Sequence, residues 1–280
     1  YTHLFRNSKK VDLDGRYTHH AIFDETIKFI KNNKDKPFFL YCPWTPPHAA
    51  YQIPEDEPAW KMYKDKPWPH DARVAAAMDT MMDRHVGEIS ALLKKLGIYQ
   101  NTLMFFTSDN GAAKRFDGIH NSSGVMQGKK RSLNEGGIRV PMVVRWPSKI
   151  KAARVSRHPW YFPDVMPTFA EIGGVSTEVP EDIDGISILP TLLDEGEQKL
   201  HEYMFWHYGV RAVRSGKWKG IGKGGHLYLY DLSKDIEEKN DLSSKHPEIA
   251  ARMKKYITIG YREPRSQKDD GKYTGKGDKN

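Results

Sequence analysis

The chain has 280 residues, one cysteine and a net charge of +8, from 44 Lys and Arg against 36 Asp and Glu. That length buries a sizeable core in one large domain or two. A single cysteine excludes an internal disulfide framework, no apolar run approaches the length of a membrane-spanning helix, and the positive balance favours an anionic partner (a glycan, a nucleic acid or an acidic surface) over a merely soluble basic surface by no margin.

In chain order, residues 17–33 read as a helix, with Ile22, Phe23, Thr26, Ile27 and Ile30 on one stripe. Pro37 to Pro43 reads as a short buried strand. Residues 44–70, rich in Pro, Trp and Tyr, read as a long ordered loop of the kind that covers a site. Residues 72–96 give the clearest helix: Val74, Met78, Met81, His85, Ile89, Leu92 and Leu96 keep three-four spacing and Gly97 ends it. His85 on that apolar face reads as a satisfied core histidine. Thr102–Thr107 and Val140–Trp146 are apolar strands, and a short helix follows over 163–173. From about residue 200, short runs at 202–206, 211–214, 218–221 and 227–231 alternate with Gly-rich turns, which predicts an antiparallel sheet. A last helix covers 246–259, and 263–280 has too little apolar content to fold. Alternating helices and apolar strands indicate α/β architecture.

The strand ending in Phe105-Phe106-Thr107-Ser108-Asp109-Asn110-Gly111 puts a carboxylate and an amide at a strand terminus, where ligands gather in open α/β sheets. Both are hard oxygen donors suited to a divalent cation. Taken alone, Asp-Asn-Gly reads first as a turn. The segment Gly128-Lys129-Lys130-Arg131-Ser132-Leu133-Asn134-Glu135-Gly136-Gly137-Ile138-Arg139-Val140-Pro141 adds a basic, glycine-rich loop able to hold an anion.

These two segments, with Pro37-Phe38-Phe39-Leu40-Tyr41, Pro46-Pro47-His48 and Arg145-Trp146-Pro147, resemble in residues and order the C-terminal part of a formylglycine-dependent sulfatase of the alkaline-phosphatase-like superfamily. The resemblance runs over most of residues 15–260. It implies a mainly parallel central sheet flanked by helices, its N-terminal part missing, and a small C-terminal antiparallel sheet with one helix. Residues 1–199 would then be the C-terminal part of the catalytic domain, 200–262 a small α+β subdomain and 263–280 a disordered tail.

By that resemblance Asp109 and Asn110 form half of a Ca²⁺ (or Mg²⁺) site. Lys130, five residues before Glu135, contacts the sulfate, with Lys129 one position off. His48 contacts the sulfate or protonates the leaving alcohol, a role that suits a side chain switching charge near neutrality. Arg115, His120, His207 and Tyr208 are weaker, substrate-binding candidates. Gly136 and Gly137 serve backbone conformation, and Arg139 serves an ion pair. Asn134 stands where the family commonly has an aromatic residue, and Ala50 where it often has proline.

The family's nucleophile, a Cys or Ser in a Cys-x-Pro-x-Arg-type motif matured to formylglycine, has no counterpart here. Cys42 lies in Tyr41-Cys42-Pro43-Trp44-Thr45, without the arginine. The first metal-binding Asp pair is also missing, so the chain reads as a fragment, inactive alone. Its incomplete sheet would leave Phe38, Leu40 and Phe106 open and invite association with another chain. The implied function is hydrolysis of sulfate esters, on a sulfated carbohydrate given the aromatic-rich loop with Trp44, Tyr51, Trp60, Tyr63 and Trp68, in the periplasm or outside the cell. The rivals are a phosphonate or phosphate-diester hydrolase of the same superfamily and a non-catalytic glycan- or nucleic-acid-binding module. No nucleic-acid motif is visible.

Overall fold

A computed structural model describes residues 4–263; the tail expectation for 264–280 lies outside them. Within that range the chain divides into two compact units. One runs to Met104 and includes Gly118–His120 and Arg145–Ser148. The other takes Phe105–Asp117, Asn121–Val144 and the residues from Lys149 on.

The first unit opens with an antiparallel hairpin, β1 (Leu4–Arg6) and β2 (Lys9–Val11), too short and polar to leave a periodic trace in the sequence. Helix α1 (Thr18–Asn33) buries Phe23, Thr26 and Ile30 as its stripe requires. A short helix α2 (Pro58–Tyr63) interrupts the stretch expected to be loop. Pro58 presets its first turn and the Glu57 carboxylate accepts from the Ala59 amide. The long helix α3 (His70–Lys95) buries Val74, Met78, Met81 and His85. It stops at Gly97, whose φ of +73° allows the Gly97 amide to reach the Lys94 carbonyl and the Ile98 amide to reach that of Leu93. Ile30, Leu93 and Tyr99 form one core cluster with Leu40 packed on it.

The expected strand over Pro37–Pro43 is a correction. Among the described residues the segment joins no ladder, and a strand needs a neighbour to satisfy its backbone. Its alternation has the opposite phase from the one expected. Phe38 and Leu40 turn inward, while Phe39 and Tyr41 are 68% and 73% exposed. Phe106 is open, as expected.

In the second unit, β3 (Met104–Thr107) pairs with β4 (Met142–Arg145), the part of a central sheet present among the described residues; the first residue of β3, Met104, and the last of β4, Arg145, are counted with the first unit. Between them lies a single helical turn, α4 (Glu135–Ile138). Beyond β4 come α5 (Val165–Ile172) and α6 (Leu189–Leu193). The C-terminal sheet follows in sequence order: β5 (Met204–Tyr208), β6 (Val210–Ser215), β7 (Trp218–Lys223) and β8 (His226–Asp231), all antiparallel.

Period-two alternation gives this sheet two buried faces. Val213, Leu227 and Leu229 pack with Met253 and Tyr256 of helix α7 (Pro247–Ile259). Ala212, Ile221 and Tyr230 pack on the other side with Leu133 and Ile138. The basic glycine loop is therefore seated on the face of the C-terminal sheet that α7 leaves uncovered.

Candidate active site

The strand β3 delivers Asp109 and Asn110 just past its carboxyl end, and the Thr107 hydroxyl donates to the Pro141 carbonyl at the start of β4 (2.9 Å). The turn then lies along the glycine loop. The Gly111 amide donates to Gly137 (2.9 Å), the Lys130 amide to Ala112 (2.8 Å) and the Gly136 amide to Gln127 (2.7 Å). Such close backbone approach demands glycine. A Cβ on Gly111 would lie 2.0 Å from the Gly136 oxygen, and one on Gly137 would lie 2.1 Å from that of Ser132.

Asp109 and Asn110 sit side by side, the Asn110 amide donating to the Asp109 carboxylate; Asp109 is exposed. Their oxygens fit a hard cation in kind. In number they fall short, since Ca²⁺ takes about six to eight oxygens. Among the described residues no group of three or more His, Cys, Asp or Glu side chains is arranged to hold a metal ion.

The two neighbouring lysines differ. Lys129 is spent on Asp117 at 3.0 Å. The half-buried Lys130 ammonium has neither ion pair nor side-chain hydrogen bond among the described residues. The structure therefore brings Asp109, Asn110 and Lys130 onto adjoining, hydrogen-bonded loops. Asn134 takes part in the loop's own turn, its amide donating to the Ser132 hydroxyl (3.1 Å) while its side-chain oxygen accepts from the same hydroxyl (3.0 Å).

Beneath the loop is a buried ion network. Lys219, wholly buried on β7, donates to Glu135 Oε1 (2.8 Å) and pairs with Glu238 Oε1 (2.9 Å). Glu238 Oε2 accepts the Glu135 amide (2.6 Å), and the Glu238 carbonyl accepts from the Gln127 side chain (3.1 Å). Arg139 completes the set on Glu135 Oε2 (3.1 Å), the ion-pair role expected of it. Burial alone would raise the Glu135 carboxyl, but Lys219, then Arg139 and Arg214, outweigh it and hold it below the usual carboxylate range. Sequence reasoning passed over Lys219 and Glu238. The signal was present in Trp218-Lys219-Gly220-Ile221, where a lysine shares the inward phase of Ile221.

His207 and Tyr208 end β5 at the surface; alternation turns His207 away from the core that holds Trp206, and its ring meets Tyr261 edge-on. Arg211, opposite His207 across the β5–β6 ladder, stacks on Tyr261. Arg115 lies exposed in a short turn over Lys114–Phe116.

His48 and His120 belong to the first unit. His48 is exposed, between cis peptide bonds at Pro46–Pro47 and Ala49–Ala50, and its Nδ1–H donates to the Ala49 carbonyl (2.7 Å), which puts the lone pair of the neutral ring on Nε2. His120 packs edge-on against Trp68; burial lowers its pKa, against the effect of a hydrogen bond with the Ala72 backbone. Cys42 is half-buried, with its thiol near the Thr26 hydroxyl (3.6 Å) and its pKa raised by burial. Neither its neighbours nor its state fit a matured nucleophile. His85 meets His19 at 3.0 Å and stacks on Phe23, as a satisfied core histidine should.

The sulfatase family model matches residues 2–175. The chain belongs to the sulfatase family. A second model, for the C-terminal region of N-sulphoglucosamine sulphohydrolase, matches residues 127–261, the glycine loop and C-terminal sheet together. The steryl-sulfatase of Mus musculus is 33% identical over 70% of this chain and 30% of its own length. The N-acetylgalactosamine-6-O-sulfatase of Bacteroides thetaiotaomicron is 29% identical over 84% of this chain and 49% of its own. The chain thus spans less than half of these relatives. Among solved structures, Ps i-CgsB in complex with k-i-k-neocarrahexaose superposes with a TM-score of 0.80 at 30% identity, over 92% of this chain and 58% of that one. The family and its alkaline-phosphatase-like α/β fold match the expectation from sequence. Among the described residues no helix is long and apolar enough to cross a membrane.

Proposed function

We propose that these residues are the C-terminal part of a sulfatase that cleaves sulfate esters of a carbohydrate, in the periplasm or outside the cell, with the nucleophile supplied by polypeptide outside the 280 residues. The observation that carries the reading is the unpaired Lys130 ammonium on a loop hydrogen-bonded to the turn that bears Asp109 and Asn110. Membership of the family and the carbohydrate named with two of its similar members support the substrate class.

In this reading Asp109 and Asn110 hold half of a Ca²⁺ or Mg²⁺ site, and the ion supplies positive charge against the sulfate oxygens. Lys130 does the same from the opposite loop and is fixed before charge develops, which is where such groups gain their effect. His48, protonated at Nε2, gives its proton to the alcohol oxygen as the S–O bond breaks. Arg115, His120, His207 and Tyr208 contact the sugar. No step is assigned to Cys42.

The test is turnover by the full-length protein with a sulfated sugar and, in parallel, a phosphate diester. The reading expects the sulfate ester to be cleaved with the higher kcat/KM. Preference for the diester sinks it.

A further inference from the structure

Lys219, Glu238 and Glu135 are wholly or almost wholly buried, and none touches the open side of the loop on which Lys130 stands. Resting on the sulfate-ester reading above, we propose that Lys219 and Glu238 are positioning residues for the reaction. Lys219 on the C-terminal sheet and Glu238 in the loop after β8 clamp both ends of the 127–135 loop and so fix where the Lys130 ammonium sits.

The loop is attached at two ends to one residue. Glu238 receives the Gln127 side chain on its carbonyl and the Glu135 amide on its carboxylate. Its backbone is held at φ 53°, a left-handed conformation uncommon for a side chain of this size. Lys219 then bridges the two carboxylates from below. Without that ammonium, Arg139 alone would face the two buried carboxylates, one charge would be left uncompensated, and Glu135 and Glu238 would separate or take up a proton. Either response moves the loop's ends. Leu133 stays anchored in the core, so the displacement would fall on the turn between Gly128 and Ser132, where Lys130 stands.

The Lys219 ammonium and the Arg139 guanidinium balance the two carboxylates, leaving the network without net charge. The positive charge of the loop surface is then Lys130 and its neighbours alone. A C-terminal region that reads as a separate subdomain in the sequence would in this way also shape the active site through two residues, Lys219 and Glu238, that do not touch the substrate.

The experiment compares full-length Lys219→Met, Lys219→Arg and Glu238→Gln with the parent protein. It reads kcat and KM on a sulfate ester, and hydrogen exchange of the amides of Gly111, Lys130 and Gly136 against those of α7. Lys219→Met is expected to lower kcat by ~10–100-fold, the scale for a misplaced catalytic group, with KM changed far less. The three loop amides should exchange faster while α7 keeps its protection. Lys219→Arg should recover part of both losses, because it restores the charge. Should Lys219→Met not fold, Glu238→Gln, nearly unchanged in shape, is read alone in the same way.

Unchanged kcat and loop exchange overturn the proposal. So does a loss that appears only in KM, or loop exchange that rises in step with α7, which would make the network a general stabiliser. A parent protein without sulfatase turnover sinks the functional reading instead. The exchange rates then decide the loop clamp by themselves.

Discussion

The loop that bears Lys130 and the segment that bears His48 are built in opposite ways. The first is hydrogen-bonded at Gly111, Lys130 and Gly136, anchored by Leu133 and underpinned by the buried Lys219 network. The second joins no ladder among the described residues, leaves Phe39 and Tyr41 mostly exposed, and holds His48 by bonds to its near neighbours Thr45 and Ala49. A charge-stabilising group is effective when it is fixed before charge develops, and the loop of Lys130, proposed for that role, is the one this chain holds by bonds to distant residues. Phe39 and Tyr41 stay mostly exposed on the side of this segment opposite Phe38 and Leu40.

The sharpest way to break the comparison is at the lysines. Replacing Lys130 by Ala in the full-length protein should lower turnover by ~10²–10³, the scale for one pre-organised charge-stabilising donor. Lys129→Ala should cost much less, since its ammonium is already committed to Asp117. Equal losses at the two positions would mean that the loop's register has been misread.

A smaller effect is expected from the seam between the two loops. Gly111→Ala forces a methyl against the Gly136 oxygen, which lies 2.0 Å from the ideal Cβ position. It should destabilise the second unit by ~1–3 kcal/mol, as overpacking does. Urea unfolding followed by tryptophan fluorescence would measure it, and an unchanged midpoint would show that the seam is loose.

The first unit has its own sensitivity, to pH. Burial holds His19 and His85 down to about 4. Their folded-state values lie below the ordinary 6.5, so the unfolded chain takes up protons first as pH falls. The stability they contribute is complete above pH ~6.5 and is lost progressively towards about 4. His20, Glu57 and Arg84 surround the pair and modulate the fall. His85→Gln should make the urea midpoint less dependent on pH across that window; an unaltered slope would place the sensitivity elsewhere.

The smallest effect on stability should come from the open segment. Phe39→Ser with Tyr41→Ser removes surface that is mostly exposed, 68% and 73%, so the unfolding free energy of the 280-residue chain should shift by no more than ~0.5 kcal/mol. Light scattering should show less self-association. A large destabilisation would mean that the segment is packed in a way its exposure does not reveal.

The sequence made legible whatever obeys a local period. The stripes of α1 and α3, the Gly97 stop and the four C-terminal strands follow from spacing and turn residues alone. Pro37–Pro43 misled because composition predicts extension but not a pairing partner, and five successive residues of mixed Phe, Leu, Tyr and Cys do not fix which face turns inward. Helix α2 was hidden by Pro58, a breaker in general but a starter at the first helical position. At the site, motif and resemblance were enough to choose Lys130 over Lys129, while the Asp117 contact that separates them is tertiary. Lys219 and Glu238 escaped because their meaning lies in a contact with Glu135 across more than eighty residues of chain.

The most direct test of the central claim is a crystal structure of the full-length protein with a non-hydrolysed sulfate ester and calcium bound. The account predicts a sulfate oxygen ~2.7–2.9 Å from Lys130 Nζ, the distance of a charge-assisted hydrogen bond. It also predicts oxygens of Asp109 and Asn110 ~2.3–2.6 Å from the metal. A sulfate seated elsewhere, with Lys130 still facing open solvent, would contradict it.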